Sequence, residues 1–258
     1  MALDLDGTIL DFKLNLDPRD VTALHRIVAG GVTVVACTGR PFPGALPWTE
    51  RLGLDGPIVC YQGAEVRTPD GGVLLDHGVS HGLAMEVIRY SSERDLHVQA
   101  YRDDKLIVGR DRPEAHEYAN HAGMEIHVVG DLDAAMGPTT PKLVIVAKAE
   151  RLEEILPDAR RRWEGKLNVA TSMPTYLEFT SVESDKASAL AFLCERLGVP
   201  REHSVAVGDG RNDASMIAWA GLGVAIEGSD AEVIEAADRT IPGPGRGGIQ
   251  QLADLLVG

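Results

Sequence analysis

Ala2-Leu3-Asp4-Leu5-Asp6-Gly7-Thr8 begins as a short apolar run and stops at two carboxylates set one residue apart, with a glycine directly after them. A buried strand that ends this way puts acidic groups at the carboxyl edge of a sheet, where open α/β sheets bind their ligands. Side chains alternate along a strand, so Asp4 and Asp6 are expected on one face. Gly7 lets the backbone swing away, and Thr8 can offer its hydroxyl to an anion. Two like charges held together raise the energy unless a cation, a shared proton or a reaction uses them. Mg2+ suits such a pair because it prefers carboxylate and carbonyl oxygens. The plain alternative is an acidic turn that caps the next segment. On this motif alone the two readings stand level.

Three further stretches repeat the pattern. The β-branched run Val32-Thr33-Val34-Val35-Ala36-Cys37 ends in Thr38-Gly39-Arg40, which again sets a hydroxyl and turn amides at a sheet edge. Lys186 stands at the expected first turn of a helix that runs toward Gly198. The dipole mildly opposes a lysine there, but a phosphate would favour it. Ser204-Val205-Ala206-Val207 leads into Gly208-Asp209-Gly210-Arg211-Asn212-Asp213: strand, glycine, carboxylates, then a helix. Each has an ordinary reading too: a strand exit, a solvated lysine, and a loop with Asn212 or Asp213 as N-cap.

Taken together and in this order, Asp4, Asp6, Thr38, Lys186, Asp209 and Asp213 resemble the four motifs of the haloacid dehalogenase superfamily, whose members are mostly Mg2+-dependent phosphatases. Asp-Leu-Asp-Gly-Thr matches the first motif and Gly-Asp-Gly-Arg-Asn-Asp the fourth. The long insert between Thr38 and Lys186 resembles the Cof-type branch, which carries an α/β cap. The resemblance covers essentially the whole chain, although the cap matches by layout and not by motif. It implies Asp4 as nucleophile, forming an aspartyl-phosphate, and Asp6 as the acid and base for leaving group and water. It implies Mg2+ held by Asp4, the Asp6 carbonyl, Asp209 and Asp213, and phosphoryl oxygens held by Thr8, Thr38, Gly39 and Lys186, with Asn212 orienting the cluster. Two departures stand out. Only three residues precede Asp4, so either the start is trimmed or the native chain begins earlier. Where the Cof-type pattern reads Asn-Gly-Ala, this chain has Gln62-Gly63-Ala64.

Composition narrows the partners. A formal charge of -14 argues against nucleic acid or an anionic membrane surface, both of which call for basic patches. A small phosphorylated metabolite is still admissible, because Mg2+, Lys186 and Arg40 can invert the field within one cleft. No apolar stretch approaches the roughly 20 residues of a membrane span, and no signal-like core follows a basic start. The expected compartment is the cytoplasm. Cys37, Cys60 and Cys194 are scattered and read as buried thiols, and the eight histidines show no metal-binding spacing.

Along the chain, Asp17-Pro18 starts a helix through Val21, Leu24 and Val28 to Gly30-Gly31. A proline-rich loop is expected from Pro41 to Pro47, then a short helix, the strand around Ile58 and a hairpin over Ala64 to Leu75. Residues 79–180 change to an α+β pattern. Strand–helix alternation resumes from Lys186, with a flexible glycine-rich loop at Gly243 to Gly248 before the last helix. The expected fold is therefore α/β: a Rossmann-like parallel-sheet core from residues 1–78 and 181–258, with an inserted α+β cap at 79–180. Crossings near 78 and 181 would act as hinges, and Tyr101, Arg102 and Glu178 are candidate substrate contacts in the cap. The leading function is hydrolysis of small phosphorylated metabolites, sugar phosphates above all. A phosphosugar mutase and a non-catalytic metabolite-binding regulator are the alternatives. Substrate and oligomeric state are not legible.

Overall fold

The computed structural model describes residues 1–258, apart from the side chain of His121. The chain divides into two compact units: Met1–Leu75 with Asp185–Gly258, and Asp76–Ser184.

The first unit is built on a five-stranded sheet in the order Arg239–Ile241, Leu222–Ile226, Val205–Gly208, Ala2–Leu3, Val35–Ala36, with every pair parallel. Cys37 bridges Val59 in parallel and brings Ile58–Cys60 alongside. Apart from the edge strand, where Arg239 and Thr240 are exposed, these strands are apolar on both faces, as a parallel sheet covered by helices requires. Ala2–Leu3 has the earlier strands on one side and the latest ones on the other. The order of connection thus reverses between it and Val205–Gly208, which is the switch point where such sheets open a crevice at their carboxyl ends.

The helix Pro18–Ala29 begins as expected, with the Asp17 side chain accepting from the Arg19 amide and proline in the first turn. Its buried face is Asp20, Ala23, Leu24 and Ile27, whereas Val28 is 41% exposed. Asp20 is inside because its Oδ2 accepts from the Gly245 amide at 2.7 Å, while Arg19 donates to the Gly245 carbonyl at 2.8 Å. The loop expected to be flexible at Gly243 to Gly248 is therefore pinned to the start of this helix. Pro41 to Pro47 is not a loop either: the helix Phe42–Leu52 contains Pro43 and Pro47 and buries Phe42, Ala45, Thr49 and Leu52. Its apolar stripe outweighs the prolines. The hairpin is present, with strands Glu65–Arg67 and Val73–Asp76 in one sheet with Ile58–Cys60. The edge strand Arg239–Ile241 has no counterpart in the sequence reading.

The second unit carries a six-stranded sheet in the order Leu167–Met173, Tyr176–Ser181, Leu143–Val146, His97–Arg102, Lys105–Val108, Ile126–Val128. All pairs are antiparallel except the last. Its own core includes Tyr90, Trp163 and Phe179, with successive ring centroids 5.1 and 5.2 Å apart and nearly perpendicular planes. An α/β fold with a parallel core sheet and an additional mixed sheet is what the sequence predicts. Among the described residues, no helix is long and apolar enough to cross a membrane.

Candidate active site

The ladder of the first strand ends at Leu3, and the Asp4 amide donates to the Val207 carbonyl at 2.9 Å. Beyond it the chain folds back on itself. Leu10 donates to the Leu5 carbonyl and Gly7 to the Leu10 carbonyl, with Leu5, Ile9 and Leu10 buried beneath. The two carboxylates thus lie just past the assigned strand. They meet different partners: Asp4 turns inward to Lys186, whereas Arg40 grips both oxygens of Asp6 at 2.6 and 2.7 Å.

Gly7 has φ +84°, and a Cβ on it would lie 2.1 Å from Asp209 Oδ2, so only glycine lets the first motif touch the fourth. The Thr8 hydroxyl completes that contact by donating to Asp209 Oδ1 at 2.8 Å. Asp213 Oδ2 accepts from the amides of Asp209 and Gly210, which curls the fourth motif into a short turn. Asp185 caps the helix Lys186–Leu197 by accepting from the Ser188 amide at 3.2 Å, and this fixes Lys186 at the helix start. Lys186 Nζ then lies 2.8 Å from Asp4 Oδ1 and 2.5 Å from Asp213 Oδ1. Oxygens of Asp4, Asp209 and Asp213 all fall within 4.8 Å of one another.

The electrostatics follow from burial. The Asp4 carboxyl is raised well above its ordinary value, first by burial and then by Asp213, with Lys186 opposing. Asp209 is pushed up to about 6, again chiefly by burial, although the Thr8 hydrogen bond favours its charged form. Burial works against the charge of Lys186, but Asp213 and Asp4 outweigh it and raise its pKa above the ordinary value. Cys37, beside this cluster, is held as a thiol, pushed up to about 12 by burial. Three carboxylates face one ammonium, so when all are ionised two negative charges lack compensation, and their donor atoms are all hard oxygens. That set fits a divalent ion of the Mg2+ type and does not fit a thiolate- or imidazole-seeking metal.

Of the residues singled out in the sequence, Asp4, Thr8, Lys186, Asp209 and Asp213 come together directly. Thr38 and Gly39 share a loop with Arg40, whose amide donates to Thr38 Oγ1 at 3.1 Å. Asn212 donates from Nδ2 to Gln62 Oε1 at 2.6 Å. In the second unit, Glu178 pairs with buried Lys142 at 2.9 Å and accepts from Ser172, and Tyr101 is buried with its hydroxyl against that of Tyr118. Arg102 is more exposed and donates to the Ala135 carbonyl. The sequence reading missed the grip of Arg40 on Asp6; the arginine directly after Thr38-Gly39 was the available signal.

Comparison with known proteins agrees with this arrangement. The chain is 28% identical to the 5-amino-6-(5-phospho-D-ribitylamino)uracil phosphatase YitU of Bacillus subtilis, over 93% of this chain and 90% of that protein. It is 26% identical to the HMP-PP phosphatase of Serratia proteamaculans, over 86% and 81%. Among solved structures, TM0651 from Thermotoga maritima superposes with a TM-score of 0.89 at 31% identity, covering 98% of this chain and 96% of that one. A haloacid dehalogenase-like hydrolase from Bacteroides thetaiotaomicron gives the same TM-score at 28% identity, covering 99% and 98%. The profile of the haloacid dehalogenase-like hydrolases matches residues 1–252. With its acidic cluster at the sheet's switch point and that match along nearly its whole length, the chain belongs to the haloacid dehalogenase-like hydrolase family.

Proposed function

We propose that this protein is a cytoplasmic, Mg2+-dependent phosphatase of the Cof type that hydrolyses small phosphorylated metabolites, sugar phosphates among them. The observation that carries this reading is the convergence of Asp4, Asp209 and Asp213 around buried Lys186. The YitU relative is named for a small phosphorylated compound, which supports the substrate class. In this reading residues 1–78 and 181–258 form the catalytic core, and 79–180 the cap that sets selectivity.

Asp4 is the nucleophile. One of its oxygens bonds to phosphorus as the bond to the leaving oxygen breaks, and Asp6 gives that oxygen its proton. Asp6 then takes a proton from the water that attacks phosphorus, the bond to Asp4 breaks, and orthophosphate leaves. Arg40 donates to both oxygens of the ionised Asp6 carboxylate, the form that takes the water's proton, and at least one of these contacts opens when Asp6 carries the proton for the leaving oxygen. Thr8, Thr38, Gly39 and Lys186 hold the phosphoryl oxygens and Asn212 orients the phosphate-binding cluster, so catalysis rests mainly on positioning and charge neutralisation. Asp4, the Asp6 carbonyl, Asp209 and Asp213 would hold Mg2+, which when bound neutralises charge on the transferring group.

The test is release of orthophosphate from a panel of phosphorylated metabolites with Mg2+, run beside Asp4→Asn. Turnover of at least one monoester is expected, with Asp4→Asn inactive but still folded by circular dichroism. An active Asp4→Asn would remove the nucleophile assignment, and isomerisation without free phosphate would point to a mutase.

A further inference from the structure

Tyr61, Gln62 and Gly63 follow the strand Ile58–Cys60, and all three have positive φ, at 51°, 63° and 93°. Side chains other than glycine rarely adopt this left-handed region, and neighbouring ones hold it only where their surroundings enforce it. Here the enforcing contacts come from three loops of the site. The Tyr61 amide donates to the Arg40 carbonyl at 2.9 Å and the Gln62 amide to the Thr38 carbonyl at 3.2 Å. Gly63 lies so close to the start of the Lys186 helix that a Cβ on it would be 2.3 Å from the Asp185 carbonyl oxygen. Gln62 Oε1 accepts from Asn212.

With its oxygen committed to Asn212, the carboxamide turns its nitrogen the other way. A Cβ on Gly39 would stand 2.6 Å from Gln62 Nε2. Among the described residues this nitrogen has no hydrogen-bond acceptor, although an amide nitrogen carries two N–H donors. Two unused donors therefore sit at the Thr38–Gly39 loop, on a side chain that a strained turn and an anchored oxygen hold in place.

We propose that Gln62 is a further substrate-binding residue, whose carboxamide, held by Asn212, donates a hydrogen bond to a phosphoryl oxygen lying on the Thr38–Gly39 loop. This rests on the phosphatase reading above. The contact is to the phosphoryl group and not to the leaving group, so its contribution is the same for every monoester. A hydrogen bond to an anionic oxygen is stronger than one between neutral groups.

Two substitutions separate binding from mere shape. Gln62→Gly relieves the left-handed strain and removes the donor. Gln62→Glu keeps the length and an oxygen for Asn212, but sets a negative oxygen where the donor was. Phosphate release from p-nitrophenyl phosphate with Mg2+, inhibition by orthophosphate and melting temperature are measured for both variants and the parent. The expected result is a fall of about tenfold or more in kcat/KM for both, a matching rise in the inhibition constant of orthophosphate, and a Gln62→Gly variant that melts no lower than the parent. Values within twofold of the parent in both variants overturn the proposal. So does a Gln62→Gly loss that tracks a lowered melting temperature, which would mark a structural role. A parent protein that releases phosphate from no monoester removes the phosphatase reading instead, and the proposal with it.

Discussion

Only 1% of the Lys186 side chain is exposed, and it carries its charge there because Asp4 and Asp213 lie within hydrogen-bond reach. Asp209 has no cation within hydrogen-bond reach among the described residues, and its carboxyl, pushed up to about 6 chiefly by burial, makes the site responsive to pH. A carboxyl raised in the folded chain binds its proton more tightly there than when unfolded. The metal-free fold therefore loses stability as pH rises from the ordinary value of 3.8 to about 6, and that stabilisation is gone above it. Asp4, raised in the same direction, adds to the trend. Mg2+ competes with those protons, so its effect on melting temperature should be larger at about pH 7.5 than at about pH 5. Differential scanning fluorimetry with and without Mg2+ checks this, and equal shifts at both pH values would contradict it. Asp4, Lys186, Asp209 and Asp213 were legible in the sequence because each stands where a strand stops or a helix starts, so chain direction alone placed them. The clamp of Arg40 on Asp6 was not, because it depends on where a long side chain comes to rest in the folded protein.

Helix boundaries were readable wherever a cap residue wrote them, as at Asp17-Pro18, Asp185-Lys186 and Gly198. Phe42–Leu52 was misread because proline usually signals a break, whereas Pro43 sits in the first turn, where no intrahelical donor is needed. Pro47 does fall inside, and it withholds an amide that the Pro43 carbonyl would otherwise accept. Burial of Phe42, Ala45, Thr49 and Leu52 and a left-handed Gly53 at the C-terminus hold the helix despite this. Pro47→Ala restores that bond and should raise stability by up to about 3 kcal/mol. The readout is the urea midpoint, and a lower midpoint would show that the proline is needed for the local backbone path. The two-residue pairing of Val79–Ser80 with Thr139–Thr140 was invisible for a different reason: so short a ladder leaves no periodicity to read.

The alternation of strand and helix signals was enough to reveal an α/β core interrupted by a different layer, but not the order of the six strands within the insert. That order depends on pairings between segments far apart in sequence. Each unit has its own buried core, with Trp163, Tyr90 and Phe179 at the centre of the second. Trp163→Ala should cost about 3–5 kcal/mol, and amide exchange should quicken across residues 76–184 while the strands Ala2–Leu3 and Val205–Gly208 keep their protection. Equal loss of protection in both units would show that they unfold as one. The distribution of two scarce residue types offers a way to watch them separately. All three cysteines are buried in the unit that holds the acidic cluster, and the other unit has none but owns a single fully buried tryptophan. Alkylation by a thiol reagent therefore keeps time for the opening of one body, and once Trp48 and Trp219 of that same body are replaced by phenylalanine, the indole of Trp163 reports on the other from within, so that each has its own clock.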